Sequence, residues 1–281
     1  MLKYLYFTVS VVLGTLFFSS CSSDIKVISY NIRYNNPNDG LNQWDNRKES
    51  VVGLIESKAP DFIGMQEVVH EQLHYLNTTL NDYSFIGVGR DDGKTKGEYS
   101  PIFYQKKQFK LIHNATFWLS ETPDSISVGW DAALPRICTY GLFENIKNGQ
   151  QLYIFNTHFD HIGEVARAAS TQLILERMNT VNKENLPIVL TGDFNLTPDT
   201  KPIKHLQSEM LDSGQKLFRA FPNLQGTFNN FDMLNNATRR LDYIFSKGFD
   251  LLDVAHLLYR TPTGGWASDH HAVWSEFSYK K

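Results

Sequence analysis

Carboxylate, amide and imidazole side chains recur in this chain where apolar runs stop. In PIVLTGDFNLTPDT, residues 187–200, Ile188, Val189 and Leu190 form a short apolar run of the kind found in strands covered on both faces, and Asp193 and Asn195 follow it. In extended backbone, residues i and i+2 share a side, so Asp193 and Asn195 can project into one space while Phe194 turns back into packing. Taken alone, the stretch reads better as a strand-to-turn exit, because Asp, Asn and Pro are common turn residues. Five further segments repeat the pattern. Asn31 follows DIKVISY, Glu67 follows DFIGMQ, and Asn156 and His158 end YIFNTH. Arg240 and Asp242 lie on one side of RRLDYIF, and Asp269 and His270 precede the last apolar run of WASDHHAVWSEF. Ligands of α/β proteins bind where strand ends and their loops converge. Turn chemistry alone does not account for six such ends.

Oxygen donors without a cysteine set or a tight histidine cluster suit a hard cation. Mg²⁺ keeps several waters and is held by one or two carboxylates plus a substrate phosphate, and Mn²⁺ accepts similar ligands. Glu67 is the leading ligand, Asn31 stands beside it, and Asp269 either completes the site or binds a second ion. His270 follows Asp269 directly, and a strand carboxylate such as Asp242 can hold it in one tautomer and raise its proton affinity. The competing reading is a surface-loop imidazole, which suits the neighbouring His271 better.

The elements that must position these groups alternate early and cluster late. RKESVVGLIESKAP and EQLHYLNTTL carry apolar residues at helical spacing, and EVARAASTQLILERMNTV is the longest helical segment, with a further short helix near 200–210. Strands are expected at 25–31, 61–68, 84–88, 99–104, 109–117, 137–144, 151–157, 187–193, 225–229, 240–246, 250–258 and 272–278. This order suggests mixed α/β sheets covered by helices rather than a purely parallel doubly wound fold. With 281 residues, 42% hydrophobic and 13% aromatic, and no linker-like composition, one large core is expected. The formal charge of −3 without a dense Lys/Arg cluster weighs against a dedicated nucleic-acid binder, although an acidic metal site adds negative charge of its own.

Lys3, the apolar stretch Leu5 to Phe18 and Ser19-Ser20-Cys21 form the pattern of an export signal, too short to favour a transmembrane span. The small residues before a lone cysteine resemble a bacterial lipobox, although Phe18 is unusual three positions before it. Cys21 is therefore the expected lipid anchor, the alternative being a plain cleaved signal with a chance cysteine. With Cys21 lipidated, Cys138 is the one thiol left, so no intramolecular disulfide forms. The expected organisation is a signal peptide and lipobox cysteine over 1–21 and one domain over 22–281, monomeric, exported and membrane-anchored at the periplasmic or cell surface.

The pieces SYNIR, QEV, NTHFDH, TGDFN, RLDYIF and SDHHAV together resemble the endonuclease/exonuclease/phosphatase superfamily, DNase I-like in fold, over about residues 25–278. The resemblance implies a four-layer sandwich, two mixed β-sheets packed face to face with helices on the outside. It also implies phosphoester hydrolysis, with Asn31, Glu67 and Asp269 in the metal region and His270 paired with Asp242. Asp193 would align or deprotonate the attacking water, Asn195 would hold the phosphate or water, and His158 would protonate the leaving oxygen. Glu98, in GEYSPIFY, resembles the acid that orients this histidine, and Arg136, in LPRICTY, occupies the place of a phosphate-binding arginine. Their competing readings are a solvated strand residue and a surface salt bridge. Asp160 reads as a cap for the long helix, and His161 as either a substrate contact or part of the same cap.

The substrate is less legible. Loops carrying Trp44, Trp118, Trp130 and Trp266 flank the candidate residues and can either stack on a sugar, base or lipid or simply pin the loops to the core. A divalent-metal-dependent phosphoester hydrolase is the leading expectation, a small or surface-displayed phosphodiester being favoured over nucleic acid. The alternatives are an extracellular endonuclease and a non-catalytic surface binding protein. The latter fits poorly with so complete a residue set.

Overall fold

The computed structural model describes residues 24–220, 226–234 and 237–280, so the leader and Cys21 lie outside the described residues. The chain opens with strand β1 (Ile25–Asn31), helix α1 (Trp44–Lys58) and strand β2 (Phe62–Gln66). Helix α1 buries Val51, Val52, Leu54 and Ile55 and stops where Ala59 takes a left-handed φ of 42° just before Pro60. Helix α2 (His70–Thr79) and strands β3 (Tyr83–Ile86), β4 (Ile102–Gln105), β5 (Phe109–Trp118), β6 (Ile137–Asn145) and β7 (Gln151–His158) follow. Helix α3 (Glu164–Val181), strand β8 (Ile188–Asp193), helix α4 (Lys201–Glu209), strand β9 (Leu211–Asp212) and helix α5 (Gly214–Ala220) come next. Strands β10 (Asp242–Lys247), β11 (Phe249–Leu257) and β12 (Ala272–Tyr279) complete the chain.

These strands build two six-stranded sheets, ordered β11-β12-β1-β2-β4-β3 and β5-β6-β7-β8-β10-β9. Each sheet is mixed: β1/β2 and β7/β8 are parallel, and the other neighbours are antiparallel. Val27, Phe62, Ile102, Phe143, Ile154, Val189, Ile244 and Phe277 form the core between the sheets. A second cluster joins the outer face of the first sheet to α1 and α2, and a third joins that of the second sheet to α3 and α4. The result is the expected four-layer sandwich. The sheets approach closely at Gly64, where an added Cβ would lie 2.0 Å from Thr191 Oγ1. Asn156 ties them there, accepting from Gln66 Nε2 at 2.7 Å and donating to Met65 O at 2.7 Å.

Topology gathers the polar strand ends. The parallel strands finish together, with Asn31 beside Gln66 in one sheet and His158 beside Asp193 in the other. Antiparallel β10 and β12 begin where those strands end, so Asp242 pairs with Asp193 and the segment before Ala272 arrives beside the end of β1. One expected strand is corrected. Of residues 225–229, Phe228 makes only isolated bridges to Arg239 and His270, and residue 225 lies outside the described residues. Backbone donors there turn to Arg239 O and Asp269 O instead of a ladder. Helix α5 and the two-residue β9 have too little periodicity to be read in advance.

Candidate active site

Three of the residues that leave these strands adopt left-handed backbone: Arg33 (φ 57°), Glu67 (φ 61°) and Asn195 (φ 50°). Asn tolerates this region, whereas Arg and Glu do so at a cost, and such strain concentrates at functional sites. Asn195 therefore reaches the site through a turn and not by continuing the strand. Its N–H donates to Asp193 Oδ1 at 2.9 Å, which brings the two side chains into one cleft. The cleft holds about 560 Å³ and is lined by Glu67, His158, Asp193, Asn195, Asp269 and His270, with Glu98 and Arg136 also on its wall.

Asn31 Nδ2 donates to Glu67 Oε1 at 2.9 Å and to Asp193 Oδ2 at 3.0 Å, while its Oδ1 accepts the N–H of Arg33 at 3.0 Å. In this orientation Asn31 braces the acids, and presenting its oxygen to a cation requires the amide to turn. Glu67 Oε2 accepts the N–H of Tyr34 at 3.1 Å. His270 Nδ1 donates to Asp242 Oδ2 at 2.8 Å, and its Nε2 lies 3.8 Å from Asp193 Oδ2. His158 Nε2 accepts from Asn195 Nδ2 at 3.2 Å and stands 3.6 Å from Asp193 Oδ2. Glu98 comes within 3.7 Å of His158 Nδ1, beyond a hydrogen bond, because Arg90 holds it bidentately at 2.8 and 3.0 Å.

Electrostatics separates the histidines. Burial works against a charge on His270, but the carboxylates of Asp242, Asp193 and Asp269 outweigh it and raise its pKa well above the ordinary value. His158 is pushed well down by burial and by the Arg136 and Arg90 charges, so it rests neutral. Burial and the neighbouring Asp242 raise Asp193, and burial also raises Asp269. Glu67, His158 and Asp193 bring ligand atoms within 4.8 Å of one another, as do Asp193, Asp242 and His270. Buried acids that resist ionisation in each other's company are what a hard divalent cation relieves, so the residues fit such an ion.

Arg136 is buried, which removes the surface salt-bridge reading. Asp160 is corrected. Asp131, from the loop before β6, caps α3 by accepting from Val165 N and Ala166 N. Asp160 instead accepts from Ile162 N, Gly163 N, Ala133 N and Arg136 Nε. Burial opposes its charge, but those backbone donors and Arg136 hold the carboxyl at about 2. Trp44, Trp118 and Trp266 are buried, and the indoles of Trp118 and Trp266 donate to Arg90 O and Asp232 O, so they fasten loops.

Three arginines escaped the sequence reading. Arg33 is clamped bidentately by Asp39 and lies 3.9 Å from both Glu67 Oε2 and Asp269 Oδ2. Arg90 holds Glu98. Arg47, 1% exposed, donates to the carbonyls of Ile32, Arg33, Asn42 and Ala267 and so joins the loop after β1 to the segment before Asp269. The early position of Arg47 in a helical segment was the only signal, and its partners are far apart in sequence.

The model of the Endonuclease/Exonuclease/phosphatase family matches residues 28–270. An endonuclease/exonuclease/phosphatase family protein of Bacteroides thetaiotaomicron is 36% identical and superposes with a TM-score of 0.84 over 92% of this chain and 98% of its own. A mannosyl-6-phosphatase of B. thetaiotaomicron VPI-5482 is also 36% identical, with a TM-score of 0.84 over 91% of this chain and 100% of its own. Human nocturnin is 24% identical over 84% of this chain but only 59% of its own length. Its catalytic domain with bound sulfate shares the fold at a TM-score of 0.74 and 21% identity, covering 92% of this chain and 95% of that domain.

Proposed function

This chain belongs to the endonuclease/exonuclease/phosphatase family, and we propose that it is a Mg²⁺- or Mn²⁺-dependent hydrolase of a compact phosphoester, a phosphorylated sugar or similar polyol being favoured over nucleic acid. The observation that carries this is the cleft in which a cationic His270, Arg136 and buried acids face one space of about 560 Å³. Resemblance to a mannosyl-6-phosphatase over 100% of that chain supports the sugar, and the absence of a basic cluster in the sequence weighs against a polymer.

Glu67 and Asp269 would hold the cation, with Asn31 beside them. When bound, the cation neutralises charge on the phosphoryl oxygens. In the proposed chemistry, Arg136 and the His270 imidazolium donate to phosphoryl oxygens, and Asp242 keeps the His270 proton on Nδ1 engaged. Asp193, whose raised proton affinity suits a base, takes a proton from the attacking water. Asn195 fixes both the water and His158. Once a phosphate anion is beside it, His158 takes a proton from solvent at Nε2, which displaces the Asn195 donor there, and passes it to the leaving oxygen.

A panel of hexose phosphates, nitrophenyl mono- and diesters, plasmid DNA and RNA, run on the chain from Asp24 onward with Mg²⁺ or Mn²⁺ across salt, tests this. Hexose phosphates should lead, with a shallow salt dependence. Faster cleavage of polymer that weakens steeply with salt would favour the extracellular endonuclease instead. We also propose export and lipidation at Cys21, motivated by the short apolar leader ending in Ser-Ser-Cys. Labelled fatty acid should enter the wild type and not Cys21→Ala, and equal labelling would exclude the anchor.

A further inference from the structure

One wall of the cleft carries a pair that the proposed chemistry uses only in part. Arg136 is 5% exposed yet lines the cleft. Its Nε donates to Asp160 Oδ2 at 3.3 Å, and its Nη2 donates to His161 Nδ1 at 3.1 Å. Its Nη1 is buried without a hydrogen-bond partner among the described residues. A guanidinium has only N–H donors and accepts nothing. His161 Nδ1 is therefore the acceptor, and the ring proton sits on Nε2 for as long as this bond stands. The His161 side chain is 50% exposed and lines the same cleft.

The charges on this wall cancel. Asp160, held ionised at about 2 by backbone donors and Arg136 that outweigh its burial, balances Arg136, and Arg90 and Glu98 pair with each other. A His161 that accepts from a guanidinium is neutral. Neutral donors on a wall without net charge suit hydroxyl or ether oxygens, whereas a second phosphate selects surplus positive charge. His158, the proposed donor to the leaving oxygen, ends β7 three residues before His161 and lines the same cleft as Arg136 and His161, which puts the pair on the leaving-group side.

Resting on the proposed phosphoester hydrolysis, we propose that His161 reads the alcohol. Its Nε2–H, oriented by Arg136, binds an oxygen of the leaving group and selects phosphate esters of neutral polyols, while Arg136 Nη1 takes a phosphoryl oxygen. The test is the ratio of kcat/KM for a hexose 6-phosphate to that for p-nitrophenyl phosphate, whose leaving group carries no hydroxyl or ether oxygen beyond the reacting one. In His161→Phe this ratio should fall about 10-fold, the effect of one hydrogen bond to a neutral group. His161→Gln, whose carbonyl can accept from Arg136 while its amide donates, should recover most of it. An unchanged ratio in His161→Phe would overturn the proposal, and so would a Gln variant as defective as the Phe variant. Equal losses on both esters leave the ratio unchanged and would move His161 onto the phosphate. Wild-type protein that hydrolysed neither ester would overturn the parent function, and this inference with it.

Discussion

His158 and His270 sit in the same cleft with opposite electrostatics, and in the proposed chemistry that difference gives them different work. His270 carries its charge against burial because Asp242 and Asp193 face it. His158 rests neutral, with Nε2 accepting from Asn195, and becomes an acid only after gaining a proton there. A leaving group of low pKa departs without that proton. His158→Ala should therefore slow an alkyl phosphoester ~10²–10⁴-fold more than a nitrophenyl ester. Equal losses on both esters, measured on protein shown to be folded, would make His158 a phosphate contact instead. Asp193, Asp242 and His270 were legible in the sequence because each ends or begins an apolar run. The bidentate hold of Arg90 on Glu98 was not, since nothing local in GRDDGKTKGE marks which arginine faces which acid. Asp160 was misread because a carboxylate just ahead of a helix looks like a cap, whereas Asp131, 33 residues before the helix's first residue, supplies that cap.

At the scale of elements, the two parallel pairs β1/β2 and β7/β8 aim the chemistry, and Arg47 joins the loop after β1 to the segment before Asp269. Its guanidinium is buried between the rings of Trp44 and Phe231 and donates to backbone carbonyls, including those of Ile32, Arg33 and Ala267. Each carbonyl left unsatisfied costs about 1–3 kcal/mol. Arg47→Met should therefore destabilise the fold and also weaken divalent-ion binding, because Asn31 and Asp269 lose their shared brace. Leu76→Ala, a cavity in the same outer core, should lower the Tm by a similar amount with little change in ion affinity. Calorimetric titration of both variants below their Tm decides the matter, and equal ion affinities would reduce Arg47 to a purely structural residue. Alternating apolar residues made most strands and both sheets' mixed character readable. The strand expected at 225–229 failed because local β-propensity does not reveal that the ladder partners of this segment are loops.

For the whole molecule, a closed sandwich with a buried polar end must depend on pH. His271, next to His270 in sequence, does not line the cleft, packs on Trp266 at 4.7 Å and is pushed down to about 4 by burial and the nearby His256. Unfolded histidine titrates near ~6.5. The folded state thus prefers the neutral ring, so this stabilisation is complete above pH ~6.5 and is lost as pH falls toward 4, by up to about 3 kcal/mol. The buried acids Asp193 and Asp269, raised by burial, act with the opposite sign, so the comparison must be with a variant. Urea unfolding between pH 4 and 7 should show a shallower acid loss in His271→Gln than in wild type, and parallel curves would refute the assignment. The central claim is that these strand ends form a divalent-cation-dependent phosphoesterase. Phosphate release from a hexose 6-phosphate, followed across Mg²⁺ concentration in wild type and Glu67→Gln, tests it most directly. The account predicts saturable release abolished by EDTA and restored by Mg²⁺, with Glu67→Gln needing at least about 10-fold more Mg²⁺, the equivalent of ~1.4 kcal/mol of binding. Release that continues undiminished in EDTA, or a Glu67→Gln curve that overlays the wild type, would contradict it.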